Sequence, residues 1–98
     1  MALLDKIKKA LRITSSAFDE EVGDLIAACQ HDLLLSGVSE EKAADESDPL
    51  ILRAIIVYAK ANFGFDNPDA DRLQLSYNMI KTHLTLSQEY TPKEEVTP

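Results

Sequence analysis

The longest apolar stretch of the chain, residues 50–63, limits the folds that are open to it. Only Arg53 and Lys60 are charged there, and both fall on one line of a helix because they are seven positions apart. Asp48 and Pro49 in front of the stretch are typical of a helix start, and a glycine closes it. A helix that is apolar on most sides must be covered by other elements. We therefore expect a central, buried helix.

Three other segments have apolar residues at helical spacing. One is the N-terminal segment. Another follows Ser16 and Asp19, which have the spacing of a capping box, and ends at Gly37. The last follows Asn67 and Pro68, a second pair typical of a helix start. The residues predicted to face inward are Leu3, Leu4, Ile7 and Leu11; Phe18, Val22, Leu25, Ile26, Cys29 and Leu33; and Leu73, Tyr77, Ile80 and Leu84.

These segments predict an all-α fold, a compact bundle of four helices plus a possible short helical turn at residues 39–44. We find no convincing strand alternation, and a chain of 98 residues suits one domain, which we place at residues 1–86. Residues 87–98 contain two prolines and no periodicity. We therefore expect them to form a disordered, flexible C-terminal tail.

The charge of the chain argues against tight DNA binding. Ten Lys and Arg face seventeen Asp and Glu, for a net charge of −7, whereas DNA binders gain affinity from cations on phosphates. The bases cluster in the first helix, at Lys6, Lys8, Lys9 and Arg12. A solvated basic face is the simpler interpretation. The alternative makes these four residues candidates for contacts with a partner or with DNA in a channel.

No pattern in the sequence predicts catalysis, a cofactor or a metal site. Cys29 lies on an apolar stripe, which indicates a buried thiol, and a single cysteine allows no intrachain disulfide. His31 and Asp32 are neighbours on a helix and point about 100° apart, so they do not form a base and its orienting acid. Residues 66–71 offer oxygen ligands but lack the central glycine and distal glutamate of an EF-hand loop. We expect no enzyme.

Two further classes of protein are disfavoured. Residues 33–39 resemble the turn of a helix-turn-helix motif, but the helix that would enter the DNA groove carries mainly acids, which phosphates repel. No apolar run approaches the roughly 20 residues of a membrane span, and the N-terminus lacks the features of a signal peptide. We expect a protein that does not insert into a membrane and that works in a reducing compartment.

The last helix has a second apolar line. Leu75, Met79 and Leu86 point roughly opposite to its inward stripe, and Leu34 and Leu35 project off the stripe of the second helix. The bundle could cover both faces of the last helix by itself. Alternatively, one face meets a neighbouring subunit, because unpaired apolar patches usually mark contacts. These five residues are the candidate subunit interface.

The order and spacing of several segments resemble the small head–tail connector proteins of long-tailed bacteriophages and prophages, also called head-completion or DNA-packaging proteins. The best single marker is KANFGFDNP at residues 60–68. The other matching segments are residues 4–13, 18–21, 24–28, 48–51, 53–55 and 77–84.

The resemblance implies an all-α structural protein that is not an enzyme and needs no cofactor. The resemblance further implies that copies of the chain form a ring of about a dozen subunits under the portal protein. This ring extends the DNA channel and receives the next head-completion or tail protein, while DNA passes without tight or sequence-specific binding. It works at the head–tail junction of the virion and is assembled in the bacterial cytoplasm. The alternative is a small acidic helical adaptor or regulator that binds a protein partner through an apolar groove.

Overall fold

The computed structural model describes residues 2–64 and 66–92, and this part of the chain contains helices and turns without a strand. Four helices have ten or more residues, and one more is a single turn. The elements are α1 (Ala2–Leu11), a short 3-10 helix (Ser16–Phe18), α2 (Asp19–Ser36), α3 (Glu40–Ala43), α4 (Pro49–Asn62) and α5 (Ala70–Leu86). The predicted all-α bundle of four helices plus a short turn is confirmed.

The central position predicted for α4 is also confirmed. This helix packs against α1, α2 and α5. Its start is fixed by Asp48, whose Oδ1 accepts the N–H groups of Leu50 at 2.9 Å and Ile51 at 3.2 Å, with Pro49 in the first turn. The fully or almost fully buried residues of α4 are Ile51, Ala54, Ile55, Val57 and Ala59.

The other helices bury the predicted stripes. The most deeply buried side chains on them are Leu3 and Ile7 of α1; Val22, Ile26, Cys29 and Leu33 of α2; and Tyr77 and Leu84 of α5. Phe18 is an exception, because it precedes α2 and remains 42% exposed. Its ring instead meets the edge of Phe63 at a centroid distance of 5.5 Å. The core therefore joins the other three long helices to α4, which lies at its centre.

The end of α2 is as predicted, but its start is not. Gly37 has a φ of 117°, in the left-handed region that favours glycine. Its N–H donates to the carbonyls of Leu33 and Leu34 in the last turn of α2. At the other end, Ser15 rather than Ser16 accepts an N–H, that of Ala17, and caps the short 3-10 helix. The capping box fails because this extra turn places the cap one residue earlier, and α2 begins at Asp19 without a side-chain cap.

The start of α5 is also displaced from the predicted pair of Asn67 and Pro68, since the helix begins at Ala70. The Asn67 side chain closes a turn instead. Its Oδ1 accepts the N–H of Asp69 at 3.0 Å, and its Nδ2 donates to the carbonyl of Lys60 at 2.6 Å. Asn67 therefore ties the connection back to α4 rather than capping α5.

The predicted tail differs from the structure in its first part. After Ser87 the chain turns, and Tyr90 is only 7% exposed. The Tyr90 carbonyl accepts the N–H of Ser39 at 2.8 Å, and the Tyr90 hydroxyl donates to Asp48. The buried ring of Tyr90, together with one side-chain and one backbone hydrogen bond, therefore fixes a segment that has no apolar periodicity. Residues 93–98, the rest of the predicted tail, lie outside the described residues.

Candidate functional site

The second apolar line of α5 is exposed. Leu75 is 62%, Met79 59% and Leu86 80% exposed, and with Asn78, Thr82 and His83 they line a shallow groove. The alternative that the bundle covers both faces of this helix by itself is therefore wrong, as far as the described residues show. The opposite stripe of the same helix carries the buried contacts with α4. Within residues 2–64 and 66–92, nothing covers this α5 groove.

Leu34 and Leu35, at the end of α2, are also exposed, by 42% and 73%. Leu34 lines a depression formed with α3 and with residues 88–92. None of the residues of the α5 groove lines this depression. The structure therefore does not bring the five candidate interface residues together into one groove.

Three of the four candidate bases of α1 are exposed, namely Lys6, Lys9 and Arg12. Lys8 is different, because its ammonium forms an ion pair with Asp19 at the start of α2 and its side chain is only 13% exposed. Lys8 thus holds α1 against α2. The depression beside α1 is lined by Asp5, Lys8, Lys9, Arg12, Ile13 and Thr14.

Arg12 has an unusual backbone that the sequence does not reveal. Its φ is 63°, in the left-handed region that glycine and asparagine adopt more readily. The next N–H, that of Ile13, donates to the carbonyl of Lys8 at 2.9 Å and closes the end of α1. The turn leaves the Arg12 side chain beside that of Lys9 in the basic depression.

A polar cluster between α2 and α5 was not predicted either. The Tyr77 hydroxyl donates to Oδ2 of Asp32 at 2.6 Å, and the Lys81 ammonium donates to the same oxygen at 3.1 Å. The ammonium also lies 5.3 Å from the centroid of the Tyr77 ring. His31 is exposed and is not among the hydrogen-bond partners of Asp32. The carboxylate is used to join two helices.

Burial and the hydrogen bonds of this cluster shift the pKa values of its members. Burial opposes ionisation of Asp32, but the hydrogen bonds from Tyr77 and Lys81 outweigh it and lower the pKa of the carboxyl. Burial and the bond to Asp32 raise the pKa of Tyr77, so its hydroxyl keeps the proton it donates. Burial also raises the pKa of Cys29 to about 12. This fully buried thiol is inert as a nucleophile at neutral pH, in agreement with its predicted structural role.

A second carboxylate, Asp48, joins α4 to the C-terminal segment. The hydroxyl of Tyr90 lies 3.0 Å from both oxygens of Asp48. Lys42 stands 3.7 Å from the same carboxylate and 3.8 Å from Glu89, with its ammonium 5.2 Å from the Tyr90 ring centroid. Burial and the bond to Asp48 raise the pKa of Tyr90 to about 12. The Tyr90 hydroxyl therefore remains a donor throughout the neutral range.

The described residues form three depressions on the surface that another molecule could occupy. Within residues 2–64 and 66–92, no three His, Cys, Asp or Glu side chains are placed to hold a metal ion. None of the helices found there is both long and apolar enough to span a membrane. The three candidate docking surfaces are the apolar α5 groove, the basic depression beside α1 and the depression at the end of α2.

Comparison with protein families matches residues 3–91 to the family described as "Phage connector protein". Comparison with curated proteins and comparison with solved structures found no match. The matched range runs from the second residue of α1 to the segment anchored by Tyr90, so it includes the α5 groove, the basic depression and all but Pro92 of the depression at the end of α2. The resemblance seen in the sequence is thereby confirmed: the chain belongs to the phage connector protein family.

Proposed function

We propose that the protein is a head–tail connector subunit of a long-tailed phage or prophage. In this proposal its copies form a ring under the portal protein, extend the DNA channel and receive the next connector or tail protein. The observation that carries the proposal is the family match over residues 3–91. Its place of action is then the head–tail junction of the virion, after assembly in the bacterial cytoplasm.

The exposed leucines supply candidate surfaces for the contact between copies. A closed ring needs a heterologous contact, in which each copy uses two different surfaces. The α5 groove with Leu75, Met79 and Leu86 is our candidate for one of them. Leu34 and Leu35 at the end of α2 are candidates for the other, since they lie on a different element. These side chains are already partly buried, so covering the exposed fraction of each contributes roughly 1 kcal/mol, which supports a weak contact that strengthens on a docking site.

The charge of the subunit suits a channel through which DNA moves. A net charge of −7 per copy repels phosphates and disfavours a tight grip on DNA. Lys6, Lys9 and Arg12 remain as exposed contacts for a partner or for DNA at the channel wall. Lys8 is a weaker candidate than the sequence indicated, because Asp19 already neutralises it.

The proposal is tested by electron microscopy of the concentrated protein, alone and with the portal protein of the same phage. We expect rings, and we expect the double variant Leu75→Ser/Met79→Ser to remain monomeric with an unchanged helical circular dichroism signal. Leu50→Ser is the matched control, because Leu50 is 46% exposed on α4 and does not line the α5 groove. It should form rings like the wild type.

Different results reject different parts of the proposal. Rings that persist in the folded double variant would show that α5 is not the subunit contact. A wild type that binds neither itself nor the portal would reject the connector function. The adaptor alternative predicts a discrete monomer or dimer at all concentrations.

A further inference from the structure

The depression at the end of α2 is acidic. Its charged lining consists of Glu40, Glu41 and Glu89 with a single base, Lys42, and its apolar lining includes Leu34. The Lys42 ammonium is already directed towards Asp48 and Glu89. Glu40 and Glu41, both exposed in the first turn of α3, form no ion pair within the described residues. They are the negative charges that another molecule can reach.

The depression beside α1 has the opposite character. It contains three bases and one acid, Asp5, next to the partly buried side chain of Ile13. Lys9 and Arg12 are exposed and form no ion pair in the described part of the chain. The exposed acids in the first turn of α2, Glu20 and Glu21, do not line this depression. Because Lys8 is paired with Asp19, the two remaining bases outnumber the one acid, and the depression has a net positive charge.

The two depressions lie at opposite ends of α2. The basic one adjoins the start of this helix, because Lys8 in its lining is paired with Asp19. The acidic one contains Gly37, which directly follows the last residue of the helix. A helix of 18 residues is about 27 Å long. One copy therefore cannot bring its own two depressions together, whereas a second copy placed head to tail can.

We infer that α3 of one copy docks into the depression beside α1 of the next copy, with Glu40 and Glu41 facing Lys9 and Arg12. This inference rests on the proposed connector function and names a charged contact between copies in addition to the apolar α5 groove. Each copy uses two different surfaces, so the contact is heterologous and repeats from copy to copy. Opposite charges at the two ends also fix the direction in which copies meet, since complementary charges set orientation and association rate.

A charge swap between two full-length variants tests the contact by sedimentation velocity at low salt. Glu40→Lys/Glu41→Lys reverses the acidic surface, and Lys9→Glu/Arg12→Glu reverses the basic one. Each variant alone should self-associate about tenfold more weakly than the wild type, because every contact then joins like charges. An equimolar mixture of the two should regain the wild-type association, because contacts between unlike variants again join opposite charges.

The matched control is Glu20→Lys/Glu21→Lys, the same change in the first turn of α2 outside both depressions. It should associate like the wild type. If a reversed variant loses helical circular dichroism, the neutral variants Glu40→Gln/Glu41→Gln and Lys9→Gln/Arg12→Gln replace the pair. Each neutral variant should then associate more weakly than the wild type and depend less on salt.

Four outcomes overturn the inference. The first two are an equimolar mixture that does not regain wild-type association and a control variant that weakens association as much as the reversed variants do. The third is a wild type that stays monomeric at millimolar concentration. The fourth is self-association that is unchanged in the reversed or neutral variants. If Lys9→Glu/Arg12→Glu reduces DNA binding while self-association is unchanged, the bases serve phosphates instead. None of these results decides the connector function, because binding to the portal is measured separately.

Discussion

The hydroxyl of Tyr77 on α5 donates a 2.6 Å hydrogen bond to the carboxylate of Asp32 on α2, 45 residues away in the sequence. Both helices pack mainly on α4 rather than on each other. Lys81 adds a second donor to the same oxygen. A charge-assisted contact therefore joins two helices that share little apolar surface directly.

Removing the Tyr77 hydroxyl should weaken this junction. We expect Tyr77→Phe to lower the free energy of unfolding by about 1.5 kcal/mol, because a charged acceptor loses its shortest hydrogen bond. Urea unfolding followed by circular dichroism measures the change. The matched control is Tyr58→Phe, because Tyr58 meets the Tyr77 ring edge to face at 5.1 Å and its hydroxyl makes no hydrogen bond within the described residues. Equal losses in both variants would contradict the role of the hydroxyl.

The lowered pKa of Asp32 predicts a loss of stability in acid. An unfolded aspartate has a pKa of about 3.9, and the hydrogen bonds from Tyr77 and Lys81 lower it in the fold. The unfolded chain therefore binds more protons as the pH falls, so this contribution is present above about pH 4 and is lost below it. Asp32→Asn should show a smaller fall in the urea midpoint between about pH 5 and pH 3 than the wild type.

Asp24→Asn is the control for this pH dependence, since Asp24 is exposed on the same helix. Its urea midpoint should fall between about pH 5 and pH 3 as much as that of the wild type. If the urea midpoint of Asp32→Asn falls just as much, other carboxylates cause the acid sensitivity.

The buried faces of the helices could be predicted because they depend on local patterns. Asp48 and Pro49 mark a helix start, Gly37 marks an end, and spacing alone identifies the stripe that contains Tyr77 and Leu84. The second apolar line of α5 is visible for the same reason. Whether the bundle covers that line depends on where the other helices lie, which the pattern of one helix does not contain.

The polar pairs could not be predicted, because each joins residues that are far apart in the chain. Periodicity places Tyr77 on the inward stripe of α5, but it does not show that Asp32 lies opposite its hydroxyl. The segment of Tyr90 has no periodicity, so neither its burial nor its bond to Asp48 could be predicted. Arg12 is a different case. Most residues other than glycine avoid positive φ, so nothing in its identity indicates a left-handed turn.

The anchor at Tyr90 gives a third prediction. Tyr90→Phe keeps the ring but removes the donor to Asp48, so we expect a loss of about 1 kcal/mol in unfolding free energy. The amide of Ser39 should also exchange its hydrogen faster, because it donates to the Tyr90 carbonyl and is exposed whenever the segment detaches. Hydrogen exchange measured by NMR reports this amide directly.

Glu89→Gln is the control in the same segment. Glu89 is exposed, and its only ion pair with a described residue is the one with Lys42 at 3.8 Å, so the Ser39 amide should exchange at the wild-type rate. Unchanged exchange in Tyr90→Phe would mean that ring packing alone holds residues 87–92.

A fourth prediction concerns Arg12 and separates stability from association. Arg12→Gly should raise the free energy of unfolding by about 0.5 kcal/mol, because glycine adopts a φ of 63° without the steric penalty of a Cβ atom. The same variant should self-associate more weakly, because it loses a cation of the basic depression. Urea unfolding and sedimentation velocity measure the two effects.

Arg12→Ala is the control, since it removes the charge but keeps the Cβ atom. It should weaken association without the gain in stability. If Arg12→Gly is no more stable than Arg12→Ala, the positive φ carries no steric cost.

The carboxylate of Asp48 has two roles at once, since it caps the first turn of α4 and accepts the hydroxyl of Tyr90. A molecule that displaces the C-terminal segment must therefore offer Asp48 a replacement donor or leave it to water. The C-terminal segment of the described chain is in this way linked, through one carboxylate, to the first N–H groups of the central helix α4. Without Tyr90, the carboxylate would keep the two backbone donors of α4 and the Lys42 ammonium at 3.7 Å.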